Sequence, residues 1–140
     1  MTYPPGRPQP HPARRPRGPG PRLSVGFVLT RRFTLCAFAN FVDVLRLAAD
    51  EGDRSRPILC DWAIVSERMD AITSSCGVGV QPHERLGDPA RFDYIAVIGG
   101  LTDGIDHVSP AYRQYLQRAS QAGVPLIAGS IAQWDGQVTV

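Results

Sequence analysis

The amino-acid sequence predicts an α/β fold, a three-layer sandwich built on a mostly parallel sheet. Three observations carry that prediction. Short β-rich runs with apolar residues on both faces recur between residues 23 and 128, as buried parallel strands require. Segments with apolar spacings of three and four lie between them and read as one-sided helices. Polar or glycine-containing links join the two kinds, the alternation that places helices on the faces of a parallel sheet.

The first strand is expected at Leu23–Leu29, Leu-Ser-Val-Gly-Phe-Val-Leu. A helix is expected from Leu35 to Ala49, with Leu35, Phe38, Ala39, Val42, Leu45 and Ala49 on one stripe and Thr34 as its cap. Residues 50–57 are a polar loop. Ile58–Ser66 is the second strand, and Ala71–Val80 suggests a short hairpin. Phe92–Ile98 is a strongly apolar strand ended by Gly99-Gly100. Ser109-Pro110 opens a helix in the favoured cap-then-proline order, with Tyr112, Tyr115, Leu116 and Ala119 as its stripe and Gly123 as its stop. Val124–Ala128 is a further short strand.

The charge divides along the chain. All 15 basic residues are arginine. The absence of lysine excludes a phosphate-loop lysine, a Schiff base and a lysine general base. Residues 1–22 hold five arginines, eight of the 13 prolines and no acid, giving +5. Residues 23–140 hold ten arginines and 13 acids, giving −3. The first part is expected to be a disordered basic tail, because it cannot bury enough apolar surface to offset its ordering entropy. The mildly acidic remainder, one domain over residues 23–140, argues against a nucleic-acid surface on the folded part. The apolar runs of residues 23–29 and 33–42 are broken by Arg31, Arg32 and Asp43. Neither makes a secretion signal or a membrane span, so the expected location is the cytoplasm. Three cysteines without CxxC or Cys/His spacing suit a reducing compartment and imply no metal or disulfide framework. No organic cofactor is implied either.

In parallel α/β sheets, sites gather at the carboxyl ends of the strands. Three such ends matter: Thr30 to Thr34, Gly99 to Gly104, and Gly129-Ser130. The candidate ligand-binding residues are therefore Thr30, Arg31, Phe33, Gly99, Gly100, Asp103 and Ser130. Arg31 offers a guanidinium for a ligand carboxylate, against the simpler reading of a solvated arginine. Gly99-Gly100 with Asp103-Gly104 either lets a ligand approach the backbone or makes a tight turn. Cys36, near a helix N-terminus, is either a reactive thiolate or a small core residue. His83 and His107 read as loop histidines, Cys60 and Cys76 as packing residues, and Asp43 with Arg46 as a surface pair.

Val25-Gly-Phe-Val-Leu29, followed by Phe33-Thr-Leu-Cys-Ala-Phe-Ala-Asn-Phe-Val-Asp-Val-Leu-Arg-Leu-Ala48, resembles the start of the ThiJ/PfpI-like domain of AraC-family (GlxA-type) transcriptional regulators. Trp62–Ser66, Ser74–Gly77, Phe92–Gly100 and Gly123–Ile127 follow in the family's order, so the resemblance spans residues 23–128. It implies a class I glutamine amidotransferase-like (flavodoxin-like) fold and a ligand-sensing, dimerising domain, normally followed by a helix-turn-helix domain that binds DNA. It also implies a small nitrogenous effector, such as an amino acid or a quaternary amine.

The sequence departs from that pattern near its end. The family continues into a Gly-x-Cys-Thr-Gly turn and a helix. Aligned without a gap, Ser130 falls where the cysteine would be. Aligned from the right, Asp135-Gly-Gln-Val-Thr-Val140 matches the segment after that helix, and most of the turn and helix are deleted. Ser130 lacks the Gly-x-Ser-x-Gly context of a hydrolase nucleophile, because Ala132 stands at the last position, and no histidine follows it. The expectation is a non-enzymatic sensing domain, incomplete at its C-terminus and making no DNA contact itself. The alternatives are a small hydrolase or amidase of the same superfamily, or a non-functional fragment whose uncovered sheet would aggregate.

Overall fold

The computed structural model describes residues 23–50, 56–100 and 108–129. Asp103, His107, Ser130 and the basic segment of residues 1–22 lie outside them. The described elements run in the order β1 (Leu23–Leu29), α1 (Leu35–Ala48), β2 (Cys60–Ser66), β3 (Ile72–Thr73), β4 (Gly79–Val80), β5 (Glu84–Arg85), β6 (Tyr94–Ile98), α2 (Pro110–Gln121) and β7 (Leu126–Gly129).

Five strands form one parallel sheet in the order β5-β2-β1-β6-β7. Its centre is β1, where Val25, Phe27, Val28 and Leu29 are almost wholly removed from solvent. Burial of each such side chain contributes roughly 1.5–3 kcal/mol. Strands β3 and β4 make the small antiparallel hairpin expected over residues 71–80. Gly77 supplies the positive φ of 88° at its tip.

The alternation of side chains along the strands sorts the core into two layers. Val25, Phe27, Leu29, Ile64, Ala96 and Ile98 face α1, where they meet Phe38 and Leu45. Phe27 contacts Phe38 and Phe41 edge-on, with ring centroids 5.3 and 5.2 Å apart. Val28, Ala63, Val65, Ile95 and Val97 face α2, where they meet Tyr112, Tyr115, Leu116 and Ala119. The stripe read for α2 is thus its buried face. Its cap is also as expected: the Ser109 side chain accepts from the Tyr112 amide, and Gly123 ends the helix at φ 76°. Among the described residues no helix is long and apolar enough to cross a membrane.

Several local features differ from the sequence reading. Phe92 and Asp93 precede β6, which starts at Tyr94, and the last strand runs from Leu126 to Gly129 rather than over the expected Val124–Ala128. Thr34 occupies the cap position of α1, but its side chain makes no capping bond, and its amide donates instead to the Gly99 carbonyl at 2.9 Å. The second strand starts at Cys60, because Ile58 and Leu59 belong to the approach and remain exposed. β5 is a two-residue parallel edge strand in a polar segment, Glu84-Arg85, with no hydrophobic pattern to announce it.

Candidate functional site

The connection from β1 runs through α1 on one face of the sheet, and that from β6 runs through α2 on the other. β1 and β6 are neighbours, so their carboxyl ends form the topological switch point of the sheet, the usual place for a ligand crevice. The structure brings Thr30, Phe33, Gly99 and Gly100 together there.

That junction is closed by backbone. Thr30 N–H donates to the Ile98 carbonyl at 3.1 Å, and its hydroxyl is 3.3 Å from the same oxygen. The Phe33 amide donates to the Thr30 carbonyl, closing a tight turn over Arg31 and Arg32. Arg32 holds a left-handed φ of 61°, a conformation that costs a non-glycine residue of order 1 kcal/mol or more. This turn aims the Arg32 carbonyl at Gly100, where an added Cβ would lie 1.8 Å from the oxygen. Gly99 in turn donates to the Gly129 carbonyl at 3.0 Å, which ties in the end of β7. Phe33 is fully buried, and Thr30 nearly so.

An open cleft lies on the other side of β1, toward β2. It encloses about 360 Å³ and is lined by Leu29 and Arg31 after β1, by Ser66–Arg68 and Asp70–Thr73 after β2, and by Ser109 and Tyr112 of α2. Of the candidates from the sequence, Arg31 reaches this cleft. Ser66 and Tyr112, 3% and 7% exposed, share a hydroxyl–hydroxyl bond of 3.0 Å. The Arg68 amide donates to Ser66 Oγ at 3.3 Å. The Ser109 hydroxyl donates to Glu67 Oε2 at 3.2 Å while its oxygen caps α2, so a carboxylate sits where the helix dipole favours negative charge. The hairpin joins both regions: Arg32 N–H donates to the Thr73 carbonyl and Ser75 N–H to the Phe33 carbonyl, each at 2.9 Å.

Sequence reading missed this polar cluster. Ser66 appeared only as the end of a strand and Tyr112 only as part of a core stripe. The signal within reach was Tyr112 at the first turn of α2, a hydroxyl at a helix N-terminus beside strand ends.

The thiols are scattered. Cys60 is buried. Cys36 is exposed and accepts from Asn40 Nδ2 at 3.3 Å. Cys76, read as a packing residue, is exposed at the hairpin tip, 3.2 Å from the Ser74 hydroxyl. That hydroxyl, with the Val78 backbone, lowers its thiol from the ordinary value. His83 donates through its backbone to the Ile64 carbonyl and accepts the Ile64 amide at Nδ1, at 2.9 and 2.8 Å, so its ring finishes the outer edge of β2. Asp43 and Arg46 form the expected surface pair at 3.2 Å. Among the described residues no group of three or more His, Cys, Asp or Glu side chains is placed to hold a metal ion.

No protein-family profile matches the chain. No curated protein matches it either. Solved structures do. An AraC family transcriptional regulator from Pseudomonas putida superposes with a TM-score of 0.62 at 23% identity, over 76% of this chain and 63% of that one. A DJ-1 superfamily protein from Agrobacterium tumefaciens gives 0.56 at 17% identity, over 76% of this chain and 52% of that one. A ThiJ/PfpI family protein from Pseudomonas syringae gives 0.57 at 14% identity, over 86% and 49%. The chain therefore spans less than two thirds of each of these structures. The α/β architecture described above is the DJ-1/ThiJ/PfpI-like fold, shared with these three structures.

Proposed function

We propose that this chain is a ligand-sensing and dimerising domain of the kind carried by AraC-type (GlxA-like) regulators, that it acts in the cytoplasm, and that it binds its ligand without transforming it. Contacts to DNA are made elsewhere in such a regulator. The observation that carries this reading is the polar, solvent-open cleft beside the switch point of a DJ-1/ThiJ/PfpI-like sheet. The effector class suggested by resemblance is a small nitrogenous metabolite.

Binding is favoured over catalysis by the hydrogen bonding. His83 is the one histidine among the described residues, and its Nδ1 is committed to the Ile64 amide. Ser66 pairs with Tyr112, a weak base, so its hydroxyl lacks the activating partner that a nucleophile needs. The dimerising part draws on the outer face of α1, where Val44 and Leu47 are 65% and 55% exposed.

The test is thermal unfolding against a panel of amino acids and quaternary amines, with sedimentation on the same samples. One class should raise the midpoint, since a ligand at a hundred times its Kd adds about 2.7 kcal/mol. The protein should sediment as a dimer that Val44→Glu disrupts. Turnover of an ester, amide or aldehyde substrate, or a midpoint unmoved by the whole panel, would overturn the reading.

A further inference from the structure

We infer that the cleft between the ends of β1 and β2 is a carboxylate-binding site whose floor is the Ser66–Tyr112 hydroxyl pair. This rests on the chain being a ligand-binding domain, and it names the chemistry that the pocket selects.

Two hydroxyls bring two protons, and the bond between them uses one, whichever oxygen donates. The Arg68 amide adds a donor to Ser66 Oγ and consumes no proton of the pair. One O–H is therefore left over, with no acceptor among the described residues. Both side chains are more than nine-tenths buried and both line the cleft. A buried donor without an acceptor is unfavourable, and an oxygen of a ligand seated in the cleft satisfies it.

The charges around the pair choose the kind of oxygen. Arg31 and Arg68 both line the cleft, and among the described residues neither guanidinium has an ion-pair partner. Glu67, by contrast, is held by the Ser109 hydroxyl. Two arginines and a spare O–H donor on the lining of one cleft suit a carboxylate, which accepts several hydrogen bonds in one plane. Glu67 and Asp70 on the same lining disfavour a dianion such as phosphate. A volume of about 360 Å³ lies at the small end of ligand pockets, so the ligand is a compact monocarboxylate or the carboxylate end of a small molecule.

The experiment is a chemical-shift titration of the uniformly labelled chain with acetate and propionate, and in parallel with acetamide and propionamide as shape-matched neutral probes. The carboxylates should move the amide signals of Arg31, Arg68 and Thr73 saturably, with the neutral probes about tenfold weaker or more, as for bonds to charged groups. Ser66→Ala and Tyr112→Phe each leave one spare hydroxyl proton, whereas the double variant leaves none. The double should therefore weaken propionate about tenfold, and by more than the two singles combined. It replaces both hydroxyls by apolar groups of similar shape, and the Arg68 amide that loses Ser66 Oγ belongs to an exposed residue that water reaches, so the fold is preserved. Arg31→Ala, at an exposed position, weakens propionate several-fold without touching the core. Equal shifts from acids and amides, an unchanged Kd in the double variant, or no shift at all would overturn the inference. Shifts confined to Thr34, Gly99 and Gly100 would also overturn it, yet would leave the ligand-binding domain standing. A panel with no effect on the unfolding midpoint would instead remove that broader reading.

Discussion

The two gaps beside the end of β1 are built in opposite ways. Toward β6, the chain is sealed by main-chain bonds from Thr30, Thr34 and Gly99, and Gly100 has no space for even a methyl group. Toward β2, residues of both strand ends and of α2 line an opening to solvent. The topological rule marks the β6 side as the switch point, yet that gap is sealed and its neighbour is open, so the rule locates the neighbourhood of a site but does not say which gap is open. That depends on the atoms: a left-handed Arg32 drives its carbonyl into the β6 side, and Arg31 before it lines the β2 side.

The largest expected effect comes from forcing the sealed gap. Gly100→Ala places a Cβ against the Arg32 carbonyl, and the backbone must give way. A loss of about 3 kcal/mol is expected in urea unfolding, at the upper end for overpacking. A variant as stable as the parent would mean that the seam is looser than described.

A second effect is read in the layer beneath α2. The Tyr115 ring is fully buried, and its hydroxyl has no hydrogen-bond partner among the described residues. Burial pushes its phenol up to about 12. The folded state therefore holds the proton longer than the unfolded chain, whose tyrosine titrates near 10. Stability is full below about pH 10 and falls as pH rises toward about 12, by about 2–3 kcal/mol in all. Tyr115→Phe should abolish that slope. It should also stabilise the protein at neutral pH by about 1 kcal/mol, because it removes a polar atom that burial leaves unpaired. An unchanged alkaline slope would contradict this.

On the open side the expected effects are smaller. His83→Ala removes the ring nitrogen that accepts the Ile64 amide at the edge of β2. The cost should be about 1 kcal/mol, since β5 pairs only with Val65 and Ser66 and leaves the outer side of β2 at Ile64 without a neighbouring strand, with faster exchange of the Ile64 amide as the local readout. The smallest effect concerns reactivity: Ser74→Ala takes away the hydroxyl that lowers the Cys76 thiol, so alkylation of Cys76 at neutral pH should slow while stability barely changes. Alkylation at the parental rate would remove that hydroxyl from the account.

Much of the fold was legible because its signals are local. The β1 run has its observed limits because every residue from Val25 to Leu29 is buried, and Ser109-Pro110 starts α2 because cap and proline act within one turn. The candidate site was legible only as a set of strand ends. Thr30, Phe33, Gly99 and Gly100 do meet, but whether glycine serves a ligand or a neighbouring carbonyl is a tertiary fact that no single segment carries. The Ser66–Tyr112 pair joins residues 46 apart in sequence, and the hydrophobic pattern that identified Tyr112 concealed its hydroxyl. Asp103 and Ser130 lie outside the described residues.

The most direct test of the contrast between the two gaps is native-state amide hydrogen exchange. The Thr30, Thr34 and Gly99 amides should exchange as slowly as those of the β1 core, because each is locked to a neighbouring strand or loop. The Glu67 and Asp70 amides at the mouth of the cleft should exchange far faster. Comparable fast exchange at Thr34 and Gly99 would contradict the account and move the opening to the switch point itself.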